Sequence, residues 1–333
     1  MDIQRTIAAP WTPIVPPLVT ALKTMTCRPM RSLVFVINPA SGGRRGTWLM
    51  ARLRERFAAD RVLPIHDIDL VALARSLDPS TCALVACGGD GTAASVLDAA
   101  WQADPDLPLP VGVLPLGTGN DLARSLGWHG TEISPSSIDH DLHALQVAEA
   151  RVLDRWHLAG PGFTSTFYNY VSLGADARIA KRFHALRLAH GAFFRSAKIN
   201  RAWYGLVALG EPGPEITPAL TGLELPDWSR AVVFANIPSY AGGTRLSPEI
   251  TADDGWLDAF ALGPGAVMAL AAAGRRQPHS LGRRKSWTWQ LHQPTVLQLD
   301  GEPLRAAPGL WNIDHRGRAK ALAWTTGPGP SRR

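Results

Sequence analysis

The run Cys87-Gly88-Gly89-Asp90-Gly91-Thr92 places three glycines, a carboxylate and a hydroxyl at the junction of an apolar stretch and a helical pattern. Residues 83–86 (Ala-Leu-Val-Ala) read as a buried strand, and Val96, Leu97 and Ala100 set the period of a following helix. Glycine admits positive φ and close approach, and the free N–H groups of a helix's first turn attract anions, so a phosphorylated ligand suits the junction. Asp90 is harder to explain as scaffold. A carboxylate beside phosphate is repelled unless it holds Mg2+, a proton or an incoming hydroxyl, so it reads as catalytic or metal-linked, with turn capping as the plain alternative.

Two more units share this design. Residues 33–37 (Leu-Val-Phe-Val-Ile) run into Asn38-Pro39-Ala40-Ser41-Gly42-Gly43 and then into an Arg-rich helix predicted over 47–57. Residues 111–115 lead through Leu116-Gly117-Thr118-Gly119-Asn120 into Asp121-Leu122-Ala123-Arg124. Strand-helix alternation of this kind predicts an α/β sheet with its ligand loops beyond the carboxyl ends of the strands. On one sheet edge the three turns would offer complementary groups: amides from Asn38 and Asn120, hydroxyls from Ser41, Thr92 and Thr118, and accessible backbone at Gly42, Gly88, Gly89 and Gly117. Arg44 and Arg45 suit phosphate contact and a solvated helix start equally, and Asp121 either caps its helix or joins a metal network. Neither Gly-x-Gly-x-x-Gly nor Gly-x-x-x-x-Gly-Lys-Ser/Thr occurs in these turns, which weighs against dinucleotide and P-loop sites.

The second half differs. Residues 166–174 predict one strand, followed by helices over 177–190 and 194–207. Between Lys181 and Arg201 stand six Lys or Arg residues and no acid, interleaved with apolar side chains, a mixture that fits a lipid surface or a core helix with a solvated basic face. Further strands are expected at 231–238, from 256 to 262 after Asp253-Asp254-Gly255, and at 287–289, 295–299 and 310–313. The basic stretch 274–285 reads as a loop near lipid or nucleotide phosphate, or as ordinary surface. Together these predict a β-sandwich or highly curved sheet. In Leu299-Asp300-Gly301-Glu302-Pro303 a turn accounts for Asp300 and Gly301, while Glu302 gains significance only if the halves fold together and set it opposite Asp90.

A chain of 333 residues, 46% hydrophobic and 19% charged, has room for two domains of ordinary size. The expected division is a flexible extension over 1–30, an α/β domain over 31–150, a β-rich domain over 151–323 and a disordered tail over 324–333. A net charge of +6 favours anionic partners: nucleotide, nucleic acid or an acidic bilayer. No nucleic-acid-binding motif concentrates that charge, so nucleic acid is not expected. Cys27, Cys82 and Cys87 are too few for a disulfide framework and poorly spaced for zinc, and inert thiols in a reducing, cytoplasmic setting are the simpler reading. No apolar run is long enough to span a bilayer, and no signal-peptide pattern is evident near residue 1.

Taken in order, these segments resemble the catalytic domain family of diacylglycerol kinases and the related sphingosine and ceramide kinases. The resemblance rests on residues 35–43, Gly88-Gly89-Asp90-Gly91-Thr92, residues 114–124 and 168–177, Asn236-Ile237-Pro238-Ser239-Tyr240-Ala241-Gly242-Gly243 and Leu299-Asp300-Gly301-Glu302-Pro303. Arg182-Phe183-His184 with Arg187, and residues 194–204, are most similar to the eukaryotic-type catalytic core; three cysteines leave no room for that type's cysteine-rich modules. This chain has Ala40 where the family commonly has Lys, Ala197 where it has Arg, and Arg201 where it has Lys. The resemblance implies a Rossmann-like or phosphofructokinase-like α/β domain, a C-terminal β-sandwich-like domain, and ATP with Mg2+ in the cleft between them. It implies that Asn38, Ser41, Gly42, Gly88, Gly89, Gly91, Thr92, Gly117, Thr118 and Asn120 shape the nucleotide site. Asp90 would organise metal-bound phosphate or help activate the hydroxyl, and Asp121, Asp253 and Asp254 would belong to metal networks. Glu302 would be the general base. The implied reaction is transfer from ATP to diacylglycerol by a protein held peripherally at an anionic membrane, with room for a homodimer. A sphingoid-base or ceramide kinase, and a catalytically weak lipid-binding protein, are the alternatives.

Overall fold

The computed structural model describes residues 30–117, 119–128, 133–134, 136–189, 216, 219–264 and 278–324. Thr118, the helix expected over 194–207 and the expected terminal segments, apart from Met30 and Trp324, lie outside these residues.

Four parallel strands open the chain: β1 (Ser32–Ile37), β2 (Val62–Pro64), β3 (Cys82–Gly88) and β4 (Val111–Pro115), in the order β2-β1-β3-β4. Residues 33–37 and 83–88 are buried without a break, which explains why their sequences are continuous apolar runs rather than alternating ones. At its carboxyl end each of β1, β3 and β4 passes through a glycine turn into a helix: α1 (Ser41–Arg54), then, after α2 (Leu70–Arg75) and β3, α3 (Asp90–Ala103), and finally α4 (Asp121–Ser125). The first helix starts six residues earlier than its apolar spacing suggests, and Gly42 and Gly43 in its first turn take left-handed φ of +61° and +65°. Cys87 is buried as expected, whereas Cys82 at the strand's start is half-exposed.

After α5 (Ile138–Val147) the chain becomes β-rich, and the first sheet extends beyond β4. The long strands β5 (Glu149–Gly160) and β17 (Gly309–Ala323) pair antiparallel, and β17 also lies parallel to β4, with Ala321 beside Val111. β6 (Phe163–Phe167) continues from β5, and β14 (Ser286–Leu291) and β8 (Leu220–Thr221) continue from β17, giving nine strands. One sheet therefore joins the glycine turns to the second half of the molecule.

The single strand expected over 166–174 is two: β6 leaves the first sheet, the chain bends at Tyr168 and Asn169, and β7 (Tyr170–Gly174) enters the second sheet before α6 (Ala175–Ala189). That sheet has the order β13-β12-β9-β7-β15-β16 and is antiparallel throughout, with β9 (Ala231–Ala235), β12 (Leu257–Leu262), β13 (His279–Arg284), β15 (Thr295–Leu299) and β16 (Glu302–Ala306). A small hairpin, β10 (Ser239–Tyr240) with β11 (Thr244–Arg245), follows β9. Trp156, Trp289 and Trp311 from the first sheet pack with Val171, Val232, Phe234 and Leu297 from the second. The Phe234 and Trp289 rings stack at 5.0 Å. A Cβ at Gly160 would lie 2.3 Å from the Trp311 ring, so glycine is what lets that indole lie flat on β5. The fold is thus mixed α/β with two sheets and covering helices, and it sets the three glycine turns beside the loops of the second sheet.

Candidate active site

The three turns touch. A Cβ on Gly42 would fall 2.5 Å from the Leu116 carbonyl oxygen, and one on Gly117 would fall 2.6 Å from the Gly89 Cα, so both glycines allow backbone-to-backbone packing that no side chain would permit. Gly88 lies against Thr92, where a Cβ would be 2.3 Å from the hydroxyl oxygen. The first and second turns also meet through side chains, as Asn38 Nδ2 donates to Thr92 Oγ1 at 3.5 Å. Asn120 takes a left-handed conformation, φ +52°, and its side chain donates to the Gly117 carbonyl at 2.7 Å, closing the third turn. Beside the first turn lies an open depression of about 750 Å³, lined by Pro39, Ala40, Gly43, Thr47 and Trp48.

Asp90 looks inward. Its Oδ2 accepts the Asp121 N–H at 3.2 Å and its Oδ1 accepts the Leu122 N–H at 3.1 Å, so it caps the N-terminus of α4 from a neighbouring turn. Burial, then the nearby Asp121 carboxylate, push its pKa up to about 7 against the lowering effect of those two N–H groups; Asp300 adds a smaller push. Asp90 thus caps a neighbouring turn, the plain alternative that the sequence offers, and is coupled electrostatically to Asp121.

Asp121, only 1% exposed, clasps the other half of the molecule. It accepts hydrogen bonds from Ser239 Oγ at 2.6 Å, the Gly242 N–H at 2.9 Å, the Gly243 N–H at 3.0 Å and the Tyr170 hydroxyl at 3.4 Å. The β10–β11 turn can aim two successive N–H groups at one carboxylate because Ala241, Gly242 and Gly243 all have positive φ.

Asp300, explicable in the sequence as a turn residue, is a buried third member of this group. It accepts the N–H groups of Tyr168, Asn169 and Tyr170 at 3.0, 2.9 and 3.0 Å, and this is what bends the chain between β6 and β7. Burial raises its pKa to about 6 despite those three donors. Asn236 supports the same bend, donating to the carbonyls of Asp154 and Tyr168 and accepting from the Trp156 indole. No local signal marks Asp300 as more than half of an Asp-Gly turn, since its partners lie 130 to 132 residues away. Two residues on, Glu302 is exposed and opens β16 opposite Leu299.

A second tie fixes the helix that carries Asp90. Asp98, two turns along α3, accepts from Arg155 Nε at 2.7 Å and Thr166 Oγ1 at 3.0 Å, and the Arg155 guanidinium lies 3.9 Å from the Trp101 ring centroid. The site is therefore bounded by rigid elements from both sheets.

Asp253 and Asp254 lie in the loop that precedes β12. Asp253 is exposed, and Asp254 bonds to Thr251 Oγ1, the Trp256 N–H and Arg283; none of its partners among the described residues belongs to the Asp90, Asp121 and Asp300 group. Among the described residues no three carboxylate, histidine or cysteine side chains are arranged to hold a metal ion. Asp90 and Asp121 each have N–H or O–H donors at both oxygens. Ser41 is the first residue of α1 and Gly91 the second residue of α3.

Comparison with known proteins adds the following. Residues 32–151 match the family described as diacylglycerol kinase catalytic domain, and residues 166–303 match the one described as diacylglycerol kinase accessory domain. Diacylglycerol kinase iota of Homo sapiens is 29% identical over 90% of this chain, and the eye-specific diacylglycerol kinase of Drosophila melanogaster is 31% identical over 87%. The chain spans about a third of the length of the first of these, 32%, and 22% of the second. A diacylglycerol kinase crystal structure from Bacillus anthracis str. Sterne superposes with a TM-score of 0.55 at 16% identity, covering 90% of this chain and 98% of that one, a likeness of fold.

Proposed function

We infer the activity from one premise, that the chain belongs to the diacylglycerol-kinase-like catalytic domain family: it is an ATP-dependent lipid kinase that phosphorylates diacylglycerol to phosphatidic acid. The observation that carries this reading is the closure of three glycine turns around half-buried Asp90, with Asp121 and Asp300 tying them to the turn that bears Glu302. In this reading Asn38, Ser41, Gly42, Gly88, Gly89, Gly91, Thr92, Gly117, Thr118 and Asn120 cradle the phosphates, the N-terminus of α3 supplies unpaired N–H groups, and the depression beside Trp48 has room for the nucleoside.

The lipid hydroxyl oxygen attacks the γ-phosphorus in line, the bond from the γ-phosphorus to the bridging oxygen breaks, and ADP leaves. Glu302, whose carboxyl group is exposed, takes the hydroxyl proton. Preoriented backbone donors stabilise the charge that moves toward ADP. Mg2+, when it arrives bound to ATP, supplies further charge compensation; Asp90 and Asp121 act by holding the turns in register. The eukaryotic-type core remains the subclass we favour, on Arg182-Phe183-His184 and Arg187, and a peripheral position on a cytoplasmic membrane face follows from a lipid substrate. Among the described residues no helix is long and apolar enough to cross a membrane.

The test is product identification. Purified protein with labelled ATP, Mg2+ and separate micelles of diacylglycerol, ceramide and a sphingoid base should yield labelled phosphatidic acid alone. Label only in a sphingolipid would replace the substrate, and no labelled lipid from any of the three would overturn the reading.

A further inference from the structure

Of the basic stretch 274–285, expected as a loop near phosphate or as ordinary surface, residues 274–277 lie outside the described residues and 279–284 form the exposed edge strand β13 of the second sheet. Leu299 lies beside Val171, Tyr170 beside Ala235, Ala235 beside Asp258, and Leu257 beside Arg284. The Arg284 end of β13 is therefore the same end of the sheet as the Asp300–Glu302 turn, four strand spacings or about 19 Å away.

At that corner Trp256 is 36% exposed and has two cations near its ring, Lys285 Nζ at 5.4 Å and the Arg283 guanidinium at 5.7 Å. Arg283 is compensated: it bonds to Asp254 and stands 3.9 Å from Asp258. Arg284 and Lys285 are exposed, and among the described residues neither has a carboxylate partner. Arg284 lies over the buried Trp287 ring at 4.7 Å, which fixes its stem. Charge by itself protects a sheet edge from pairing with another chain, and an exposed indole does the opposite. Indole beside uncompensated cations suits a bilayer interface, where the ring sits at headgroup depth and the cations meet anionic lipid.

We propose that the corner formed by Trp256, Arg284 and Lys285 docks on an anionic phospholipid surface and holds the Asp300–Glu302 end of the second sheet toward the bilayer. The occupant is chosen by charge complementarity and the interfacial indole. The proposal extends the lipid-kinase reading by naming a docking face, yet its test does not depend on phosphoryl transfer.

The full chain is sedimented with vesicles of phosphatidylcholine alone and of phosphatidylcholine with phosphatidylserine. Wild type should favour the anionic vesicles. Arg284→Gln with Lys285→Gln should weaken that binding about 25-fold, at roughly fivefold per charge near the surface. Trp256→Ser should weaken it at salt high enough to screen charge. Trp228, 45% exposed and packed on His279 at the opposite end of β13, is the control, and Trp228→Ser should bind as wild type. All variants should keep the wild-type melting temperature and the wild-type rate on a soluble short-chain diacylglycerol. Equal binding to both vesicle types, wild-type binding by the corner variants, or an equal loss in Trp228→Ser would overturn the proposal. A protein that docks as described but phosphorylates no lipid would refute the kinase function and support the docking corner.

Discussion

Replacing Asp90 by Asn tests the electrostatics at the centre of the site. The folded protein raises the Asp90 pKa from 3.8 to about 7, so between those values the folded state holds a proton that the unfolded chain has released. Stability from this residue is therefore fully present below about pH 4 and declines as pH rises through 7. From pH 5 to pH 8 the titrating span is about two units, and at about 1.4 kcal/mol per unit the ionised carboxyl costs about 2–3 kcal/mol. Asparagine never ionises. At pH 5 it resembles the protonated acid, accepting one N–H of α4 and facing the other with its own amide, so the variant should match wild type within about 1 kcal/mol. By pH 8 the variant should have gained about 2 kcal/mol relative to wild type, read as the shift in the difference between their urea denaturation free energies. Turnover should nevertheless fall by about 100-fold, since one of the two bonds that set α4 against the second turn is gone and small misplacements at a transfer site are costly. Parallel stability curves at the two pH values would refute the assigned burial and coupling, and near-normal turnover would refute the positional role.

Gly117→Ala should lower stability by about 1–3 kcal/mol and weaken ATP binding, because its Cβ would meet the Gly89 backbone at 2.6 Å; thermal melts and nucleotide titration check both. Asp121→Ala should be more damaging, at about 3 kcal/mol or more, since it strands Ser239 Oγ and two backbone N–H groups in a buried junction; the melting temperature of the variant measures it. Glu302→Gln should leave folding and ATP affinity unchanged while reducing kcat strongly, and an unaltered kcat would remove Glu302 as the base.

The strands that end in the turns were legible because a buried parallel strand must be apolar on both faces, as residues 33–37, 83–87 and 111–115 are. The strands expected at 231–238 and 256–262 were legible from an apolar run and from alternation at the start of the second, and they form Ala231–Ala235 and Leu257–Leu262. Such patterning failed where pairing is decided elsewhere. His279-Ser280-Leu281-Gly282-Arg283-Arg284 has little strand propensity, and it becomes an edge strand because apolar β12 offers it a ladder. Only 310–313 of the fifteen-residue β17 was visible, since its later part is largely polar and carries His315, Arg316, Arg318 and Lys320. The glycine turns announced a phosphate-type site, but their mutual contact is a tertiary fact. Asp300 is the sharpest case: the residues that give it meaning are the three N–H groups of a bend far back in the chain, and an Asp-Gly pair has a sufficient local explanation as a turn.

Amide hydrogen exchange with and without ATP and Mg2+ decides whether the three turns act as one nucleotide phosphate site. Simultaneous protection of residues 42–43, 89–92 and 119–122 at a common ATP concentration dependence is the expected result. Protection of one turn alone, or of none of the three at saturating nucleotide, would contradict it.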